Sequence, residues 1–212
     1  MIKMKIITKV EKDIPYWSIK QSANKRSLDA IISSNDIAPI ELTNGTIVNF
    51  RAGKDDSNNI FLISDECVAT PMVMNSDSRV LCGWYSTELR EWLNEAFITL
   101  LPIEVQDIIK TTVITQKSRG KPHESRERVF VPSLTQIFGK GDWNDTDIGD
   151  TQIDIFKDVR NRVKAYNGRT EWWWTRTPFK GNIGYSLFAI ANGEYTADVT
   201  SNVHGVVPMF RI

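Results

Sequence analysis

Apolar and charged residues alternate over residues 2–10 (IKMKIITKV), the period-two pattern of a strand. Residues 18–36 are polar and weakly patterned, with room for only a short helix around residues 28–32. The texture changes from Pro39. Two short β-rich runs, 46–50 and 60–64, flank the turn-forming stretch GKDDSNN at 53–59 and predict a hairpin. Helical spacing follows. Ser86 is the expected cap of a helix in which Leu89, Trp92, Leu93, Ala96 and Phe97 share a face, with Glu88 in its first turn. Pro102 suits the first turn of the next helix, which carries Val105, Ile108 and Ile109. Residues 113–114 and 129–131 read as strands around a basic loop. Ser133 opens a short helix over SLTQIF that Gly139 stops. Thr151 with Asp154 opens another, striped by Ile153, Phe156, Val159 and Val163 and ended by Gly168.

From Trp172 onward the pattern is β. Strands are expected at 172–177, 185–191 and 194–199, and a last one in VVPMFRI after Gly205. Asn192–Gly193 predicts a type I′ hairpin turn. Strands, then helices, then a run of antiparallel strands make an α+β fold rather than a doubly wound parallel sheet. Residues 39–212 form the expected domain. Residues 1–38 hold little apolar material and are expected to dock on the domain or on another subunit.

Composition narrows the function classes. The chain has 212 residues, 41% hydrophobic and 25% charged, with a formal net charge of zero. Nucleic-acid binding needs a basic excess that is missing here. The basic run 117–128 is interrupted by acids, Pro and Gly and reads as a solvated loop. Residues 1–13 contain no unbroken apolar stretch, so no signal peptide is expected. Nothing approaches the roughly 18 apolar residues of a membrane span. The two cysteines, Cys67 and Cys82, read as small buried hydrophobes in a reducing compartment, with pairing left open.

An ordered set of motifs carries a resemblance. It comprises Phe61–Leu–Ile–Ser64, Tyr85–Ser–Thr–Glu–Leu–Arg–Glu–Trp–Leu–Asn94 with Phe97, Val129–Phe–Val–Pro–Ser133, Asn161–Arg–Val–Lys164, Trp173–Trp–Thr–Arg–Thr–Pro178 and Gly205–Val–Val–Pro–Met–Phe210. In this order it resembles a domain family of bacteriophages and gut bacteria with an "S-x-LR-x-WLN" helix, an "(F/L)LLS" strand, a "WWLR(S/T)P" strand and a "GV-x-P" end. That family is similar to C-type-lectin-like folds, including formylglycine-generating enzymes and the variable proteins of diversity-generating retroelements. The resemblance spans about residues 39 to 212. It implies a C-type-lectin-like domain whose ligand face comes from the C-terminal loops.

Each candidate chemistry has a plainer reading beside it. Strand alternation sends Trp172 and Trp174 to one face and Trp173 to the other. Core packing is the reading for Trp173 and Trp174, which leaves Trp172 as the exposed one. Arg176 shares a face with Trp172 and Trp174, in reach of an indole. Asp142, Asn144, Asp145, Asp147 and Asp150 would offer oxygens to Ca²⁺, but the spacing is not that of an EF-hand. The WND triplet at 143–145 lies far from the place it holds in calcium-binding lectins, so the loop reads as polar with a helix cap. His123 and His204 are isolated, there is no G-x-S-x-G elbow, and no cysteine follows Cys82. Oxidase chemistry of the formylglycine-generating type is therefore not expected, nor is a cofactor. The expected ligand face is Trp172, Arg176, Phe179, Lys180, Asn182, Tyr185, Tyr195, Ser201, Asn202 and His204, mixed aromatic and polar residues on loops held by a sheet.

These readings converge on a non-enzymatic virion-associated protein of a phage or prophage, acting in attachment (a head or tail fibre) or decoration. Its expected partners are other copies of itself, with a trimer the expected form, other virion proteins through residues 1–38, and a host surface glycan or protein. A cytoplasmic ligand-binding or interaction domain is the alternative. A degenerate relative of formylglycine-generating enzymes is the third reading.

Overall fold

The structure, a computed structural model, describes residues 37–77, 83–143, 145–180 and 184–212. The expected strand at 2–10, the helix around 28–32, Cys82, Asn144 and Asn182 lie outside the described residues. The first hairpin forms as its sequence predicts. β2 (Ile47–Lys54) pairs antiparallel with β3 (Ile60–Ser64), and β1 (Ile37–Glu41) adds on the other side of β2. β1 crosses the boundary expected between residues 38 and 39. The C-terminal strand β14 (Met209–Arg211) closes this sheet against β3, in the order β1-β2-β3-β14. On its buried face Phe50 of β2 and Phe210 of β14 pack together, with ring centroids 5.3 Å apart.

Beyond β3 come the short strand β4 (Met72–Val73) and the main helix. The helix cap is Thr87 rather than Ser86: the Thr87 side chain accepts from the Arg90 N–H, and Ser86 sits in a preceding 3₁₀ turn, Trp84–Ser86. α1 (Glu88–Trp92) runs through a π-helical turn, Leu93–Phe97, into α2 (Ile98–Leu100). The wider turn moves the apolar stripe. Leu89, Leu93, Phe97 and Ile98 are buried, while Ala96 of the expected face is exposed. Arg90 and Asn94 of the same helix clamp the chain beside it. Arg90 pairs with the fully buried Glu127. Asn94 Nδ2 donates to Glu127 (2.9 Å) and to the Val129 carbonyl (2.8 Å), while its Oδ1 accepts from the Arg128 and Val129 N–H groups. α3 (Ile103–Ile108) follows, with Pro102 at its N-cap.

The basic run is a β-hairpin, not a loop. β5 (Thr112–Ser118) pairs along its full length with β6 (Lys121–Glu127) around Arg119 and Gly120, both at positive φ (50° and 73°). Only one face of it is buried, so β6 lacks the apolar alternation that would have announced it. Residues 129–131 are buried without forming a strand, and Phe130 makes a single bridge to Met209. α4 (Leu134–Phe138) has the expected start and stop, with a Ser133/Gln136 capping box and Gly139 at its C-cap. β7 (Asp147–Ile148) adds to β5. The helix expected from Thr151 is instead two 3₁₀ turns, Asp154–Lys157 and Val159–Arg162, with Val159 exposed. Gly168 does not end a helix. With Asn167 it turns the hairpin of β8 (Lys164–Tyr166) and β9 (Arg169–Glu171), both residues at positive φ.

β10 (Trp173–Pro178), β11 (Tyr185–Ala189) and β12 (Tyr195–Val199) form an antiparallel sheet, and β13 (Val203–His204) pairs with β4. The turn at 190–194 is not type I′. Gly193 donates to the Ile190 carbonyl (2.9 Å) and alone has positive φ (81°), as in a three-residue loop with a glycine bulge. The whole is an α+β arrangement of antiparallel sheets and short helices around one hydrophobic core.

Candidate functional site

The three tryptophans alternate as expected. Trp173 is fully buried, stacked near Phe156 (6.3 Å), and its indole N–H donates to the Arg162 carbonyl (2.9 Å). Trp174 is equally buried on the opposite face and donates to the Met72 carbonyl (2.8 Å). Gly205 holds the strand on both sides of Trp173: its N–H donates to the Trp172 carbonyl (2.7 Å), and its carbonyl accepts from the Trp174 N–H (3.0 Å). Trp172 is 47% exposed. Its ring rests on Phe188 (5.6 Å) and faces His204 (6.0 Å).

His204 is the centre of this face. It stacks on Phe188 (4.3 Å) and meets Trp174 edge-on (4.5 Å). Its Nε2 lies 3.0 Å from Asp198, whose carboxylate also accepts from Asn202 Nδ2 (2.9 and 3.0 Å). Burial among the rings lowers the His204 pKa against the opposing hydrogen bond to the Asp198 carboxylate, so the ring is neutral at pH 7. Asp198 is pushed up by burial, but the hydrogen bonds from Asn202, the Val199 N–H and His204 outweigh this and hold it below the usual range. The result is an exposed indole on a rigid base, edged by Asp198, Asn202 and Glu171, whose Oε1 accepts from the Trp172 N–H (3.1 Å). Such a surface can stack a ring and accept from its hydroxyls.

The remaining expected residues do not join it. Arg176 is an internal group with a side chain 2% exposed. A register shift in β10 after Trp174 turns it away from the indoles, and its guanidinium lies over Phe130 (5.6 Å) instead. It donates to Gln136 (2.9 Å) and to Asp150 (2.5 Å). Phe179 faces Tyr185 (6.4 Å) at one end of the sheet. Tyr195, at the far end of β12, packs on Trp143 (4.8 Å) and Phe138 (5.3 Å). Ser201 is half-buried in the turn before β13. The proposed calcium oxygens are also divided. Lys180 takes Asp145 and the Asp142 carbonyl at the surface. Asp147 and Asp150 belong to the buried network at the start of α4, where Asp147 accepts from Thr177 (2.7 Å) and Thr135. Among the described residues, no three of His, Cys, Asp and Glu are grouped to hold a metal ion, and no helix is long and apolar enough to cross a membrane.

Asp198 and Glu171 are the residues that sequence reasoning missed. The Asp-x₃-Asn-x-His spacing at the end of a strand was the available signal for the first. Searches of curated proteins and of solved structures found no match. Residues 57–212, from the β2–β3 turn to the C-terminus, match a domain of unknown function, DUF6273, and the chain belongs to that family.

Proposed function

We propose that this chain is a non-enzymatic ligand-binding module of C-type-lectin-like architecture, carried on a phage or prophage particle, where it attaches to or decorates a surface. The ordered motifs support the lectin-like reading, and so do the antiparallel sheets with flanking helices. The observation that carries the binding role is Trp172, held half exposed on Phe188 and His204 beside Asp198 and Asn202. A neutral imidazole sealed between rings is suited to fixing a surface rather than moving protons. A ring seated on an exposed indole supports weak binding, which a multivalent particle amplifies.

The test is a glycan array with the wild type and Trp172→Ala. Binding to a defined set of surface glycans, lost in the variant while its thermal unfolding stays near wild type, is the expected result. Equal binding by the variant would overturn the assignment of this face. A chain that stays monomeric and never co-purifies with particles would overturn the virion role.

A further inference from the structure

The first sheet is unzipped at one corner. β3 leaves β2 at Asp65, whose N–H donates to the Asn49 carbonyl (2.8 Å), and Cys67 then pairs with the Ala165 carbonyl (2.9 Å). On its other side β2 stays paired with β1, with Leu42 N–H on the Thr46 carbonyl (2.7 Å), Glu41 opposite Ile47 and Ile40 opposite Val48. Antiparallel ladders alternate their hydrogen-bonded pairs. Thr46 and Val48 therefore turn their backbone groups to β1, and Ile47 and Asn49 turn theirs away. Asp65 meets Asn49. Among the described residues no strand pairs with Ile47 on the side away from β1, so its N–H and C=O face a cleft of about 240 Å³ also lined by Cys67, Val68, Tyr166 and Asn167.

We infer that this cleft binds the acetamido group of an N-acetylated amino sugar. A trans amide carries one donor and one acceptor, the complement of what one unpaired strand residue offers. The Ile47 N–H would donate to the acetyl carbonyl and the Ile47 carbonyl would accept from the amide N–H. Cys67 and Val68 give the acetyl methyl an apolar floor. The thiol suits that use: burial, and then the Glu171 carboxylate, push its pKa up to about 12, so it stays protonated and unreactive. Tyr166, half-buried with its hydroxyl 3.4 Å from Thr70 Oγ1, offers a ring wall to the sugar face. Asn49, Asn167 and Glu66 stand at the rim as hydroxyl partners. Among the described residues no lysine or arginine lines the cleft, and Glu66 is acidic, which disfavours sialic and uronic acids. The volume lies below the roughly 300–1,000 Å³ of drug-sized sites, so it suits one ring rather than a chain of them. No residue lining the cleft belongs to the Trp172 face, and Glu171 lies outside the lining, so the two sites are tested separately.

The test is amide-resolved NMR titration of the full chain with N-acetylglucosamine, glucose and N-acetylalanine methylamide. N-acetylglucosamine should shift the Ile47 and Cys67 amides and bind at least tenfold more tightly than glucose. Ile47→Pro removes the donor at a position that makes no bond to β1, and should weaken binding, read at the Cys67 amide, at least tenfold. Equal affinity for glucose, unshifted Ile47 and Cys67 amides, or unchanged binding by a folded Ile47→Pro would overturn the inference. Tighter binding of the methylamide than of the sugar would overturn it in favour of a peptide. If Ile47→Pro does not fold, Tyr166→Ala takes its place, and unchanged affinity there counts against the sugar.

Discussion

Gly205 stands so close to Cys67 that a Cβ at position 205 would lie 2.4 Å from the Cys67 sulfur, with the Glu171 Cγ at 3.0 Å. Gly205 also bridges Trp172 and Trp174 through its backbone, so it cannot retreat without loosening β10. Gly205→Ala should therefore cost about 1–3 kcal/mol, the usual range for overpacking, read as a lower denaturation midpoint. Cys67→Ala should recover part of that loss in the double variant, a coupling that a double-mutant cycle measures. Additive effects would mean that the contact is not the cause.

Arg176 is the charged residue of the WWTRTP strand, and its place is inside. It joins Gln136 and Asp150 across the start of α4, and Gln116 Nε2 donates to its carbonyl (2.6 Å). Removing one partner of a buried ion pair costs about 3–5 kcal/mol. Arg176→Ala should lose stability on that scale in urea unfolding. A variant with wild-type stability would show that the side chain is free in solution.

The pairing partners were legible in the sequence wherever local chemistry fixed them. GKDDSNN turned a hairpin, Ser133 opened α4 and Gly139 stopped it, and the three tryptophans alternated. Elements with only one buried face were harder to see. β6 reads KPHESRE because one side of the hairpin is solvent, and a charge run on a strand looks like a loop. Asn167–Gly168 carried a hairpin signal that a preceding apolar stripe masked. For the site, Trp172 and His204 were visible as residue types. Their meeting was not, since it depends on β13 crossing to β4 and on the bulge that sends Arg176 elsewhere.

Asp147 ties stability to mild acid. Burial, opposed by Arg176 and reinforced by Asp150, raises its pKa from 3.8 to about 6. An acid whose folded pKa is raised binds its proton more tightly when folded, so its contribution is full below pH 3.8 and is lost as pH rises through about 6. The loss amounts to about 3 kcal/mol at about 1.4 kcal/mol per unit. His204, kept neutral by burial, pulls the opposite way as pH falls. The comparison with Asp147→Asn separates the two. The variant should keep the His204 trend and show no loss of stability between pH 4 and 6 attributable to position 147. Parallel pH profiles for the two proteins would refute the assignment.

Lys164 gives a second pH signature on the alkaline side. Its ammonium is buried, donates to the Ser64 carbonyl (3.0 Å) and lies 5.9 Å from the Phe156 ring centre. Burial, only partly offset by Asp65, lowers its pKa from 10.5 to about 8. Between these values the unfolded chain holds a proton that the folded chain has released. Folding stability should therefore rise from pH 8 toward 10.5, by up to about 3 kcal/mol. Cys67 opposes this above pH 9, because its thiol stays protonated in the fold and ionises when unfolded. The clean window is pH 7.5 to 9. Lys164→Met keeps the length of the side chain and removes the charge. It should match or exceed wild-type stability at pH 7, since an apolar isostere of a buried charge is often neutral or stabilising. The wild type should gain on it steadily across the window in urea unfolding. A constant difference between the two from pH 7.5 to 9 would mean that Lys164 is solvated in the folded protein.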